Sequence, residues 1–305
     1  DAICDGDKVL GATVINKSGK TDIYAKITID ATGDGDIAAR AGAEFVLGRE
    51  SDNKMQPATL MFKIGGVDYD RAVFLGSFES TYETPQGELQ ALAKEHIPLP
   101  AGHILTYETT LPGVVTCNMT NAIDIDGTNA DDLTSATLTC RRQMDDIIRY
   151  LREFVPGYEK CYVISSASLM GIRETRHFKG KYTLNEQDIL EARVFEDYVV
   201  KDAYFNFDVH NITGAGLDET GVQKHFSQEK GYTIPYRCLL PEVKENLLLC
   251  GRNISGTHMA HSNFRVMPIC MGIGEAAGVA AYISVSRNCS LNDVDAREIR
   301  GIIGI

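Results

Sequence analysis

The sequence is short of several things whose absence narrows what it can be. It has no basic excess: 30 Lys and Arg stand against 42 Asp and Glu, a net charge of -12. Nucleic-acid phosphates need a concentrated basic surface, so no nucleic-acid partner is expected. No run of five like charges occurs, and the acidity reads as a solvated surface rather than a tail. The eight cysteines, at 4, 117, 140, 161, 238, 250, 270 and 289, include no CxxC pair. In a chain this long they read as buried free thiols in a reducing, cytoplasmic compartment, since disulfide frameworks belong to smaller secreted proteins. An uninterrupted window of about 18 apolar residues and a signal peptide are both missing, so no membrane partner is expected. Internal repeats and low-complexity stretches are absent too. The chain opens on Asp1-Ala2-Ile3-Cys4 instead of Met and runs straight into strand-like sequence, which hints at truncation or processing.

What is present is ordinary for a globular protein: 44% hydrophobic and 24% charged residues over 305 positions. That length accommodates two domains of roughly 100–200 residues each. Residues 9–30 read as antiparallel strands, with a turn at 16–20 and strict alternation at Ile23, Ala25, Ile27 and Ile29. A short helix at 37–41, closed by Gly42, follows the cluster Ala31-Thr32-Gly33-Asp34-Gly35-Asp36. From 51 to 232 the texture changes. Thr59 to Ile64 is strand-like, 84–113 is rich in turn formers, and Met144, Ile147, Ile148, Leu151 and Phe154 give helical spacing over 131–154. Cys161 to Ile164 is a further strand, and the segment has no βαβ regularity. From 233 a doubly wound character returns. The apolar run Asn246 to Gly251 suits a strand buried on both faces, a loop spans 252–267, an Ala/Gly-rich helix covers 268–285, and a last helix starts at Ser290 with Asp293 completing a capping-box-like pattern.

Two places carry chemistry. A strand ending in Ala31-Thr32-Gly33 puts small residues where another backbone or a flat ligand comes close, although an Asp-capped strand-to-helix turn explains it equally. The strand ending at Gly251 runs into Arg252-Asn253-Ile254-Ser255, the usual ligand position at the carboxyl edge of a parallel sheet, and the next helix offers its N-terminus near Pro268. Gly272-x-Gly274-x-x-x-Gly278 imitates a dinucleotide fingerprint, but no strand precedes it and no strand is expected after it, so close helix packing accounts for those glycines.

These segments, with Gly171-Ile172-Arg173-Glu174-Thr175-Arg176, Gly180 to Leu184, Ile234 to Pro241 and Arg265 to Ala281, resemble the bacterial FAD-dependent oxidoreductase family of the glutathione-reductase-like flavoprotein superfamily. The resemblance covers most of the chain. It implies an α/β fold: an incomplete doubly wound FAD-binding domain (1–50 and 233–305) carrying an inserted mixed α+β substrate domain (51–232). It implies FAD held by Ala31, Thr32, Gly33, Asp34 and Asp36, by Gly251, Arg252, Asn253 and Ser255, and by Arg265, Val266, Met267, Gly272 and Gly274. In such a flavoenzyme the helix N-terminus would face the N1/C2 carbonyl edge of the reduced ring. Family members open with a strand and GxGxxG that hold the pyrophosphate. This sequence has neither, so it reads as N-terminally truncated, with FAD binding and activity weakened or lost.

Catalytic candidates follow from residue type. Arg173 and Arg176 suit a carboxylate or phosphate clamp, and equally ion pairs with nearby acids. His258 and His261 can move a proton while the flavin moves a hydride, or be structural. Their HxxH spacing also suits metal, but no third ligand is legible, so no metal site is expected. His210 is a weaker candidate. The expected activity is hydride transfer between a small, anionic organic substrate and FAD, with an unidentified electron acceptor. A non-catalytic binding protein on the same scaffold is the alternative.

Overall fold

A computed structural model describes residues 1–217 and 228–305; the stretch 218–227, within the segment expected to form the inserted domain, lies outside the described residues. By internal contacts the chain forms two units. One comprises Asp1–Asn53, Glu174–Asp208 and the described part of Thr220–Ile305; the other comprises Lys54–Arg173 and the described part of Val209–Glu219. The boundaries differ from the sequence reading, because Glu174–Asp208 packs with the first unit. Its apolar residues Phe178, Leu184, Ile189 and Val199 are buried in the core that also holds Leu247–Leu249.

The chain begins with a meander of β1 (Ala2–Asp5), β2 (Lys8–Asn16) and β3 (Gly19–Tyr24), where Asn16 pairs with Gly19. Asn16 Oδ1 accepts from the Ser18 backbone N–H at 2.8 Å, which fixes the expected turn. The alternation read through to Ile29 does not continue as one strand. β3 ends at Tyr24, and β4 (Thr28–Asp30) leaves the meander to pair elsewhere. The period of two survives because both stretches are extended, but periodicity cannot report which partner a strand takes. After β4 come α1 (Asp36–Arg40), closed at Gly42 with φ +81°, and β5 (Phe45–Leu47).

In the second unit, β6 (Phe62–Gly65), the short hairpin β7 (Glu83–Thr84) and β8 (Gly87–Glu88), and α2 (Leu89–His96) come first. β9 (Thr106–Glu108), β10 (Val115–Cys117), α3 (Ala130–Phe154) and β11 (Tyr162–Ser166) follow. The four longer strands form an antiparallel sheet in the order β11-β6-β10-β9. α3 matches its expected apolar spacing and buries Cys140, Met144, Ile147 and Leu151 in one core with Leu60, Phe62 and Val115. α2 was hidden in sequence that reads as turns. It is started by Glu88, whose carboxylate accepts from the Gln90 and Ala91 backbone N–H groups.

Back in the first unit, β12 (Arg176–Phe178) pairs antiparallel with β5, and α4 (Glu186–Leu190) opens on an Asn185/Asp188 capping box. β13 (Tyr198–Ala203) and β14 (Tyr232–Pro235) pair antiparallel; β15 (Leu247–Leu249) lies parallel to β4. All three β15 residues are buried, as their unbroken apolar run predicts. The expected 252–267 loop contains a helix, α5 (His258–Phe264), capped by Thr257. Then come α6 (Met267–Arg287) and α7 (Ala296–Ile303). α7 starts on Asp295, whose side chain accepts from Arg297 N; Ser290 caps only a short 3-10 turn.

Contrary to expectation, α6 is long and apolar enough, by length and composition alone, to cross a membrane. In this unit its Ile269, Ile273, Ala276, Ala277, Ala280 and Ile283 form a buried face in the core, a role that selects the same composition. All eight cysteines are free; Cys117, Cys140, Cys161, Cys238 and Cys250 are buried as expected, whereas Cys4 is exposed and Cys270 and Cys289 are half-buried.

Candidate functional site

The parallel pair β4–β15 brings the two sequence-singled turns together at its carboxyl end. Asp30, the last residue of β4, is buried and organises the first turn. Its Oδ1 accepts from the Thr32 backbone N–H at 3.1 Å and hydroxyl at 2.6 Å, and Oδ2 accepts from Ala38 N at 2.7 Å, the start of α1. Asn253 stitches this turn to the next. Its Nδ2 donates to the carbonyls of Asp30 and Thr32, both at 2.9 Å, while Oδ1 accepts from Cys250 N at 2.8 Å.

The acids of the Gly33-Asp34-Gly35-Asp36 cluster hold arginines. Asp34 Oδ1 accepts from Arg252 Nη2 and from the Thr175 hydroxyl, each at 2.7 Å. Arg176 Nη1 donates to the Asp34 carbonyl and to Asp36 Oδ1, each at 2.8 Å. A Cβ on Gly33 would stand 2.0 Å from the Arg252 guanidinium, so that side chain lies across the glycine. Gly35 has φ +64° and the Phe178 ring against it. Among the cofactor candidates, Ala31 and Thr32 are exposed, and at Gly251 (φ +90°) no atom lies within 4 Å of where a Cβ would stand. Ser255 is buried and bonds inward, accepting from Gly180 N at 3.0 Å and meeting the Thr183 hydroxyl at 2.9 Å.

Arg265, Val266 and Met267 lead into α6. Arg265 is held by Asp208, donating to its carbonyl at 2.9 Å and its carboxylate at 2.7 Å. Val266 at the N-cap makes no side-chain cap and Met267 is exposed, so the first turn of this 21-residue helix keeps backbone N–H groups for an outside acceptor. Gly272 and Gly274 lie inside α6, with Val200 and Cys250 at ordinary packing distance from their would-be Cβ positions. The fingerprint-like glycines are therefore helical, not a strand-to-helix turn.

The catalytic candidates separate. Arg173 belongs to the second unit, where Nη1 donates to the Pro57 carbonyl at 2.6 Å and the Thr59 hydroxyl at 2.8 Å. Arg176 belongs to the first unit and is engaged by the acidic turn. His210, also in the second unit, sits edge-on to Phe78. His258 and His261 lie one turn apart on α5, both buried.

Two residues that sequence reasoning did not single out join them. Glu174 Oε1 lies 2.6 Å from His177 Nε2 and 2.6 Å from His258 Nδ1. Glu174 and His177 sit just before and within β12, and burial makes the group legible only in the fold: Glu174 is 1% exposed and His177 6%. Burial alone would raise the Glu174 pKa, but the hydrogen bonds from both histidines outweigh it and hold the carboxyl well below the usual range. The His261 ring meets the His177 ring edge-on at 4.9 Å, and burial pushes its pKa well down, keeping it neutral. A cavity of about 250 Å³ opens beside His177, lined also by Phe45, Val46, Glu50 and Thr183.

No curated protein matches the chain. Among solved structures it is similar to a geranylgeranyl bacteriochlorophyll reductase-like protein from Thermoplasma acidophilum, at 15% identity and a TM-score of 0.45. That match covers 99% of this chain but 52% of the other, so the chain spans about half that protein's length. A family model described as FAD dependent oxidoreductase matches residues 1–303, so the chain belongs to that family, with FAD as its cofactor.

Proposed function

We propose that the protein transfers a hydride between a small organic substrate and the flavin, with His258 handling the accompanying proton. The observation that carries this reading is the state imposed on His258. An ionised Glu174 oxygen can only accept, so His258 holds a proton on Nδ1. In the neutral ring Nε2 then presents its lone pair, the form a base needs. Glu174 both selects that tautomer and stabilises the ring when it takes up a second proton.

The residues fit FAD at the carboxyl end of β4–β15. The exposed Ala31 and Thr32, the open backbone at Gly251 and the first turn of α6 would hold it, and Asp30 and Asn253 would keep the two turns in register. FAD, when bound, supplies the hydride chemistry. Arg176 and Arg252 brace the turn by neutralising Asp34 and Asp36. We take the substrate to be anionic, as the sequence reading expects. A reducing, cytoplasmic setting in a bacterium and a separate electron acceptor complete the proposal.

Purified full-length protein, alone and after addition of FAD, tests the reading. Bands near about 370 and 450 nm that bleach with dithionite are expected. His258→Gln should retain them while lowering flavin reduction by a panel of small organic acids and alcohols about 100-fold or more. A protein that takes up no FAD, or a His258→Gln variant reduced at the wild-type rate, would overturn the respective half.

A further inference from the structure

His261 is the oddest buried side chain among the described residues. It is 1% exposed, its Nδ1 is buried without a hydrogen-bond partner, and no hydrogen bond joins its ring to the rest of the protein. His177 shares the condition on one side: Nε2 faces Glu174, while Nδ1 is buried and unpartnered. A buried imidazole left in this way forfeits about 1–3 kcal/mol for each unmet polar group, and such groups commonly mark an ion or water.

The two rings are not isolated from each other. Glu174, His177 and His261 each present one potential ligand atom, and the three atoms lie within 4.8 Å of one another. All three residues are buried, and the set combines a carboxylate with two imidazoles. Ligands about 2.0–2.2 Å from a shared ion fall within that spread. Two imidazoles and one carboxylate form a donor set suited to zinc and neighbouring divalent first-row metals, with room for a further ligand.

We propose that Glu174, His177 and His261 form a site for a divalent transition metal, with zinc the reference ion. The donor chemistry supports the assignment: one buried carboxylate offsets half the charge of the ion, and imidazole nitrogens complete the set without adding charge of their own. His258 lies outside the ligand set. Its Nδ1–H donates to Glu174 and orients the carboxylate, the arrangement by which outer partners tune a ligand. Glu174 and His177 come from the β12 region and His261 from α5, so the ion would tie together two elements more than 80 positions apart. The site requires neither bound flavin nor turnover.

The test is metal binding by the full-length protein, stripped with chelator and dialysed against zinc, with no activity assay involved. About one equivalent of zinc retained by wild type is expected, and cobalt in its place should give visible d–d bands. His261→Gln and, as a second variant, His177→Gln should each weaken binding by 100-fold or more at unchanged circular dichroism. His258→Ala should weaken it by at most about 10–100-fold. Wild-type protein that retains no stoichiometric zinc overturns the site. So does zinc binding that survives in whichever of the two glutamine variants remains folded. Neither result bears on whether the protein binds FAD.

Discussion

Asn253→Ala is the sharpest perturbation of the turns proposed to hold FAD, because one side chain makes two hydrogen bonds between them and a third within its own turn. Asn253 is 1% exposed, so water does not replace those bonds in the native state. At about 0.5–1.5 kcal/mol each, three bonds contribute about 3 kcal/mol. The groups left behind are not fully orphaned. Cys250 N still donates to the Asp30 carbonyl at 3.0 Å, and Gly35 N to the Thr32 carbonyl at 3.2 Å. The net loss should therefore be about 2–3 kcal/mol, roughly a 30- to 140-fold shift in the folding equilibrium. Urea unfolding followed by circular dichroism measures it, and a parallel titration should show weakened FAD binding. Asn253→Asp provides the internal control. It keeps the acceptor toward Cys250 N but points a second acceptor at two carbonyls, and should be worse than alanine. A loss below about 1 kcal/mol for alanine, or a tolerated aspartate, would refute the stitching role.

Three further outcomes can be checked by similar means. Gly35→Ala should cost about 2–4 kcal/mol in thermal or urea unfolding, since it combines φ +64° with a Cβ 2.1 Å from the Phe178 ring. Gly33→Ala should cost less, because the Arg252 guanidinium in its way is the end of a flexible side chain that can swing off Asp34. Glu174→Gln in protein without added metal should lose about 3–5 kcal/mol of stability, because the oxygen that two buried ring N–H groups share then carries no charge to strengthen either bond. Equal melting temperatures for variant and wild type would contradict the shared-acceptor geometry.

His103, in the second unit, supplies the pH test. Burial is the main reason its pKa lies below the usual 6.5 or so of a histidine, outweighing the Ala101 and Asn118 carbonyls at its two ring nitrogens. The unfolded chain takes up this proton first, so stability is present above about pH 6.5 and falls as the pH drops through that value toward the lowered folded pKa. Measured between about pH 7.5 and 5.5, the decline should be shallower in His103→Gln.

The elements readable from sequence were those whose signal is local. The apolar run at Leu247–Leu249 and the 3.6-residue spacing of α3 state their own burial, and the small residues after Asp30 state that a backbone turns there. Less local features escaped. α5 was concealed because Thr257 and the residues after it also read as loop, and α2 because turn formers flank it. The alternation through Ile29 gave no sign that β4 abandons β3.

The two turns were thus legible in the sequence itself, because a strand ending in small residues and a wholly apolar run ending in glycine are local signals. The partners of the charged side chains and of the buried histidines were decided only by the tertiary structure. Arg176 read as a substrate clamp and Arg252 as a cofactor residue until the fold set Asp36 and Asp34 against them. Glu174 read only as an acid near Arg173 and Arg176 until the chain entering β12 brought it, with His177, against α5. A carboxylate, an arginine or an imidazole takes its role from the charge and burial around it, and residues distant in the chain supply both.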